Sequence, residues 1–527
     1  MWRSLCVVLP LAIGCGGDFV AAESSTQAVA TGPGSASAFV EHIRRTYRVA
    51  RRRGLDVALP KGVTPPASER ESVLLPSLVT SFSAVAGGLQ PVFQNASMPI
   101  RTSLTFPASA AGTMTVQGVN LAVGIKLAGS TTAPAEEVDG YLVYLSSHLS
   151  GASAVNFATP AGTESFLEFA AHPPIEEIAY DVVFDSDVKG VRSIGGVVEF
   201  LDARGVPGVS ISPPYIIDAE GAVTPIELSI SGCVVDRDPH SPIERAVTPP
   251  GSQSCRLTLS WAGLGISYPA LLDPPVSSPS VMRTPRYLHS ATFIPPAGRG
   301  GSRLVLAVGG FSELGIELNS AELYTPNAQQ LPSGEVIGVW TATEPLPSFG
   351  RAGHSGTLLT PSNTVLVAGG RAFPPFNFVP LYLDQALIYD VNTDFRTCTV
   401  GFPCLWSAAQ SMPSPHHRHT ATRLEDGRVL VAGGLSGGGF SPTPSADAAI
   451  FEPTTRTWTA VSPMSTPRVL HDAALLTNGT VLVAGGTANN ADPLSSAERF
   501  DPATSNWLPA SSLNTTVSGS RRIHAAS

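Results

Sequence analysis

Three groups of residues in this chain have types and spacings that could do chemistry. Gly434-Leu435-Ser436-Gly437-Gly438 reads G-x-S-x-G, the pattern that presents a nucleophilic serine on a sharp turn. That turn needs a strand before it and a helix after it. Here a glycine-rich loop follows and no helical text is in view, so a serine hydrolase is not expected. His416, His417 and His419, in the stretch HHRH, could hold a metal ion. On a strand, adjacent side chains point to opposite faces, which sets His416 and His417 apart. The acidic pairs Asp185/Asp187 and Asp236/Asp238 have calcium-loop spacing, but turns account for them. No metal, no cofactor and no catalytic residue is therefore expected.

Cysteine placement points to export. Arg3 precedes an apolar run from Leu5 to Ile13, and LAIGC closes the run at Cys15. Residues 1–15 read as a signal peptide, which also removes Cys6. A cysteine directly after Ala12-Ile13-Gly14 resembles the lipobox of bacterial lipoproteins. That resemblance implies a diacylglycerol on the Cys15 sulfur, and Gly16 after it implies an outer-membrane destination; the alternative is an ordinary secretory signal. No later stretch approaches 18 uninterrupted apolar residues, so any membrane contact would run through the lipid alone. Cys233, Cys255, Cys398 and Cys404 remain. Two local disulfides, Cys233 with Cys255 and Cys398 with Cys404, are the expected pairing. Zinc is the alternative, without a C-x-x-C spacing to support it.

Charge excludes one class of partner. With 32 Lys and Arg against 41 Asp and Glu, the net charge is -9, which argues against nucleic acid. Gly (50) and Pro (47) punctuate the whole sequence, as many short strands require. At 527 residues, two or three domains are expected.

The elements that must position these residues follow from the patterning. Residues 16–71 read as a flexible tether carrying a basic helix over about 37–54. Ser37 would cap it, Phe39, Ile43 and Tyr47 would form its apolar stripe, and Gly54 would end it. Arg44, Arg45, Arg48, Arg51, Arg52 and Arg53 cover its other faces. Such a helix either lies near an anionic membrane surface or docks by its stripe, and docking is the simpler reading.

Residues 72–275 are β-rich. TPIELSIS and CRLTLSW alternate with period two, and LDARGVPG and DAEGAV supply turns. One or two β-sandwich domains are expected. DGYLVY (Asp139–Tyr144), GTESFLEF (Gly162–Phe169), VVEFLDARGVPGVSISPPYIIDAEG (Val197–Gly221), GCVVD (Gly232–Asp236) and YPALLDP (Tyr268–Pro274) resemble a segment that precedes a propeller in exported bacterial proteins. The resemblance implies architecture and no activity.

From residue 276 the chain repeats. A His motif (His289, His354, His419, His471 and, at the end, His524) is followed by an apolar strand ending in Gly-Gly: Gly309-Gly310, Gly369-Gly370, Gly433-Gly434 and Gly485-Gly486. An aromatic comes next (Tyr324, Tyr389, Phe451, Phe500), then a Trp (Trp340, Trp406, Trp458, Trp507). A period near 50 with these marks resembles the kelch repeat, whose unit is one four-stranded propeller blade. Residues 276–527 are thus read as a kelch β-propeller of four full blades plus partial strands, in an all-β chain. A residue present in every blade serves the blade. This applies to the histidines and to the Arg three places before them (Arg286, Arg351, Arg468, Arg521).

Each Trp precedes a Met or Leu by six residues, and Val276 and Met282 hold those two places ahead of the first unit. Residues 276–282 are therefore expected to be a fourth strand that closes the last blade. A blade opened by RRIHAAS would then lack its middle strands, roughly 25 residues. The chain is expected to be truncated relative to its relatives; the rival reading is a ring of four full blades with an imperfect seam.

Function is expected in what does not repeat. Blade two carries RAFPPFNFVPLY (Arg371–Tyr382), with Phe373, Phe376 and Phe378; blade three carries LSGGGFSPTPS, with Phe440. These four aromatics are candidate binding residues. The expected role is non-catalytic binding of a protein or glycan by a lipid-anchored, cell-surface protein. One alternative is an extracellular kelch-type oxidase or hydrolase. Among kelch propellers the galactose oxidase group carries copper and a Tyr cross-linked to a Cys, and the six-residue spacing of Cys398 and Cys404 suits a disulfide better. The other alternative is a non-functional truncated copy.

Overall fold

The computed structural model describes residues 34–50, 70–72, 74, 77–94, 102–160, 162–243, 245–273, 276–277, 282, 284–296, 303–312, 315–330, 336–373, 379–394, 398, 403–489 and 492–513. The signal peptide, Cys15, Phe376, Phe378, Arg521 and His524 lie outside the described residues. Among the described residues, no helix is long and apolar enough to cross a membrane.

The fold is almost wholly β. Two sheets face each other in the N-terminal half. The smaller has six antiparallel strands, in the order Glu227–Ser231, Ser254–Ser260, Glu177–Phe184, Ala122–Leu127, Met114–Gln117 and Ser103–Thr105. The larger is built around Gly162–Phe169 and Ser153–Thr159 and has eleven strands. Alternation does the sorting: Leu142 and Tyr144 face the core between the sheets, while Tyr141 and Val143 face the other way. Val123, Ile125, Val182 and Leu257 meet Val198, Phe200 and Val209 across the core. Cys233 and Cys255 are disulfide-bonded, as are Cys398 and Cys404.

The helix differs from expectation. It runs Ala36–Thr46, and Ser35, not Ser37, is its N-cap, accepting from the Ala38 backbone N–H at 3.3 Å. It ends eight residues early because Tyr47 turns extended and is buried, and Arg48–Ala50 then pairs as a strand with Arg70–Ser72. Phe39, Val40, Ile43 and Tyr47 cover Tyr141, Val143 and Phe157 on the outer face of the larger sheet. His42 Nε2 lies 2.7 Å from Glu168 Oε1, and burial pushes the Glu168 carboxyl up. The apolar stripe docks on protein, against the outer face of the larger sheet.

A second correction concerns Val276. Val276–Ser277 is not a blade strand; it pairs with Gly162–Thr163 on one side and Ser210–Ile211 on the other, inside the larger sheet. The Val276 side chain fills the sandwich core, and two strands with free edges at that point outcompete a distant blade. The sandwich therefore extends through residue 277.

Four antiparallel four-stranded blades follow. Their innermost strands are Ser290–Ile294, Ser355–Leu359, Thr420–Arg423 and Asp472–Leu475. Each blade packs on the next through branched residues of its second strand, for example Leu366 against Val429 and Val431. Each aromatic pairs with its Trp across neighbouring strands, ring centroids about 5 Å apart (Tyr324–Trp340, Tyr389–Trp406, Phe451–Trp458, Phe500–Trp507). Among the described residues, the outer faces of blades one and four carry exposed apolar side chains, Phe293 at 51% and Leu508 at 42%.

The sandwich grips blade one through a buried ion pair. Arg192 and Glu199 are both almost fully buried and 2.5 Å apart. Arg192 also donates to the carbonyls of Asp238, His240 and Ala342, and Glu199 accepts from the Ala342 backbone N–H at 2.9 Å. Thr343 Oγ1 donates to Pro239 O on the same seam.

Candidate functional site

The repeated marks form one device, copied from blade to blade. The residue three places before each His donates to the carbonyl of its own blade's first motif glycine. Arg286 donates to Gly309, Arg351 to Gly369 and Arg468 to Gly485, at 2.8, 3.2 and 3.0 Å. In blade three this place is held by His416, whose Nδ1 lies 2.6 Å from Gly433 O. The second glycine then reaches across: the N–H groups of Gly310, Gly370 and Gly434 donate to the carbonyls of Arg351, His416 and Arg468 in the next blade. All these glycines have positive φ, and a Cβ on Gly369 would lie 2.4 Å from His416 O and 2.9 Å from His419 Cε1. Glycine is there because two blades meet at its α-carbon.

The histidines complete the joint. Nε2 of His354, His419 and His471 lies 3.0, 2.8 and 3.0 Å from the hydroxyls of Ser290, Ser355 and Thr420, each in the preceding blade. Burial, followed by neighbouring cationic or histidine side chains, pushes all three imidazoles down, His354 and His471 to about 3. They are neutral at physiological pH.

This explains HHRH. His416 does the work of the arginine, His417 Nδ1 lies 3.0 Å from Ala352 O of blade two, and His419 is the interblade strut. Among the described residues, no group of three or more His, Cys, Asp or Glu is placed to hold a metal. Asp236 and Asp238 hold Arg245 at 2.6 and 2.5 Å, and Asp185 caps its own turn by accepting from the Asp187 N–H. Ser436 sits in a short hairpin, Leu435–Ser436 against Thr443–Pro444, with no helix after it.

The arginines of blades one and four have side-chain partners that the motif spacing alone does not name. Arg286 binds Ser320 and Glu322, and Arg468 binds Ser496 and Glu498, the carboxylates at 2.7 and 2.9 Å. The signal was present: Ser-Ala-Glu stands two residues before the aromatic in blades one and four.

Where the four blades converge there is a cavity of about 220 Å³. His289, His354, His419 and His471 form its wall, and the residues just before them, Leu288, Gly353, Arg418 and Leu470, form its rim. These four have positive φ, between 54° and 64°, a strained backbone for the three that are not glycine. Arg418 is the one charged rim residue, and its place inside the His motif gave no sequence sign of that.

Beside this rim stand the unrepeated hairpins. Arg371–Ala372 pairs with Leu381–Tyr382, and Arg371 also bridges to Ala352, next to Gly353 of the rim. The Arg371 guanidinium is held by Glu317 at 3.0 Å and lies over the rings of Phe311 and Phe373, 4.8 and 5.4 Å from their centroids. Phe373 is 38% exposed, and Val379 and Leu381 of the same hairpin are also exposed. Phe440, at 50%, is on the blade-three hairpin, whose Gly439 faces Val379. Of the four aromatics singled out in the sequence, the structure brings Phe373 and Phe440 to adjacent loops on one face. The result is an apolar patch with a rigid cation–aromatic base, beside a polar cavity.

A family model described as Kelch motif matches residues 473–514, the fourth blade. The same marks recur in the other three blades, so the chain carries kelch repeats. A solved structure titled "Structure of YjhT" is similar at 11% identity, over 44% of this chain and 67% of that one, with a TM-score of 0.32.

Proposed function

We propose that this kelch-repeat protein is a non-catalytic binding module of the cell envelope, which holds a protein or glycan on the loop face of its propeller. One observation carries the reading. The repeated arginines brace their own blades and His354, His419 and His471 join neighbouring blades, whereas the unrepeated Phe373, Val379, Leu381 and Phe440 stand exposed on adjacent hairpins. Exposed aromatics on a scaffolded loop are typical binding anchors. Two disulfides support an exported setting, and Cys15 supplies the lipid anchor in this reading.

The test compares wild type with the Phe373→Ser/Phe440→Ser double variant as bait for envelope proteins and for arrayed glycans. A ligand held by wild type and released by the double variant supports the reading. Identical capture by both contradicts it. For the anchor, Cys15→Ser is expected to abolish lipid-dependent membrane partitioning; unchanged partitioning rules the anchor out.

A further inference from the structure

A separate site lies inside the sandwich. Two adjoining cavities of about 80 and 30 Å³ run between its sheets and share Met114, Ile125, Ser165 and Tyr180 in their walls. Pro107, Ala110 and Gly112, from the loop between the strands Ser103–Thr105 and Met114–Gln117, line one end. Ile211, Leu257 and Val276 line the other. A well-packed interior leaves few voids larger than one water, so a chamber of this length is unusual.

We propose that this chamber binds a small uncharged molecule with a short alkyl body and one hydroxyl or carbonyl group. Three observations select that chemistry. No charged side chain lines either cavity, so an ion would be desolvated without compensation. The walls are mostly apolar, and at about 30 Å³ per water-sized share the chamber has room for roughly three or four carbon atoms. Of the polar wall groups, the Tyr144 and Ser147 hydroxyls already donate to Pro107 O and Ala152 O at 2.7 and 3.1 Å, which leaves Asn156, Ser165 and Tyr180 to meet a ligand. Ser165 Oγ donates to Asn156 Oδ1 at 2.6 Å, and the Asn156 amide N–H reaches its own acceptor, Leu142 O, only at 3.5 Å. Asn156 is 8% exposed, so its donor capacity is turned into the protein. Tyr180 borders both cavities, its hydroxyl kept protonated by burial. A ligand hydroxyl or carbonyl meets a donor there while its alkyl body lies along Met114 and Ile125.

The probe is butan-1-ol, titrated into the full chain and followed by methyl NMR, with sodium butyrate as the charged control. The expected result is saturable movement of the Met114, Ile125 and Leu127 methyls, with a dissociation constant on the order of 10 mM. The propeller methyls of Val367 and Val431 stay still. Butyrate at neutral pH binds at least tenfold more weakly. Ala154→Leu, which narrows the chamber, weakens butan-1-ol at least tenfold. Asn156→Leu weakens it several-fold while leaving cyclopropane, which has no polar end, bound as before. Non-saturating shifts, shifts spread over the propeller, or butyrate binding as tightly as the alcohol would overturn the proposal. The wild-type titration decides this even if a variant fails to fold.

Discussion

Ser290 Oγ and His354 Nε2 are 3.0 Å apart across the seam between blades one and two. The same hydroxyl–imidazole contact joins Ser355 to His419 and Thr420 to His471. Blades one, two and three thus each present a hydroxyl directly after their own histidine and receive the histidine of the next. Replacing His354 by alanine removes a buried contact and leaves a gap, and is expected to cost about 1–3 kcal/mol of stability. His289, for which no such hydroxyl contact exists among the described residues, is the internal comparison. His289→Ala should cost clearly less in chemical denaturation, and equal losses would contradict the strut assignment.

The sandwich–propeller joint rests on Arg192 and Glu199. Removing one member of a buried, hydrogen-bonded pair leaves the other charge without its partner, at about 3–5 kcal/mol. Glu199→Gln is expected to lower stability and to split unfolding into two transitions, one for each half of the chain. A single, unshifted calorimetric peak would show that the halves are held together elsewhere.

Phe373 and Phe440 predict the opposite pattern. Both are exposed, and neither contributes to a buried core cluster. Phe373→Ser and Phe440→Ser should therefore change stability by no more than about 0.5 kcal/mol. Larger losses by thermal unfolding would mean that the hairpins serve the blades after all.

Acid should weaken the propeller by a calculable route. His354 and His471 are pushed down to about 3 in the folded chain, against about 6.5 when unfolded. Between those values the unfolded state binds more protons, so stability rises with pH. It is fully present above about 6.5 and is lost as pH falls from there towards 3. The slope is on the order of 1.4 kcal/mol per pH unit for each such histidine. Unfolding midpoints measured between pH 7 and 4 should fall steadily, and His354→Ala should fall less steeply.

How much of this was legible beforehand depended on repetition. The His, Gly-Gly, aromatic and Trp marks recur because each blade solves the same packing problem, and so they were readable four times over. His416 was harder, since a histidine in an arginine's place still donates to a glycine carbonyl, and only the contact reveals the equivalence. Val276 reads as a blade strand because its distance from Met282 matches a blade, whereas the sandwich strands that claim it lie about 65 and 110 residues earlier. The arginine run reads as helix by propensity, but burial of Tyr47 and strand pairing of Arg48–Ala50 end the helix at Thr46. The Arg192–Glu199 joint left no sequence sign, being a meeting of two strands with a blade 150 residues on.

The central claim is that the repeated histidines build the propeller and take no part in chemistry at its surface. Histidine-labelled NMR across pH 5 to 8 tests it most directly. The account predicts that the His354, His419 and His471 ring signals stay those of neutral imidazoles throughout. Titration of any of the three near pH 6.5 in the folded chain would contradict it, and would make the central cavity a site of proton exchange.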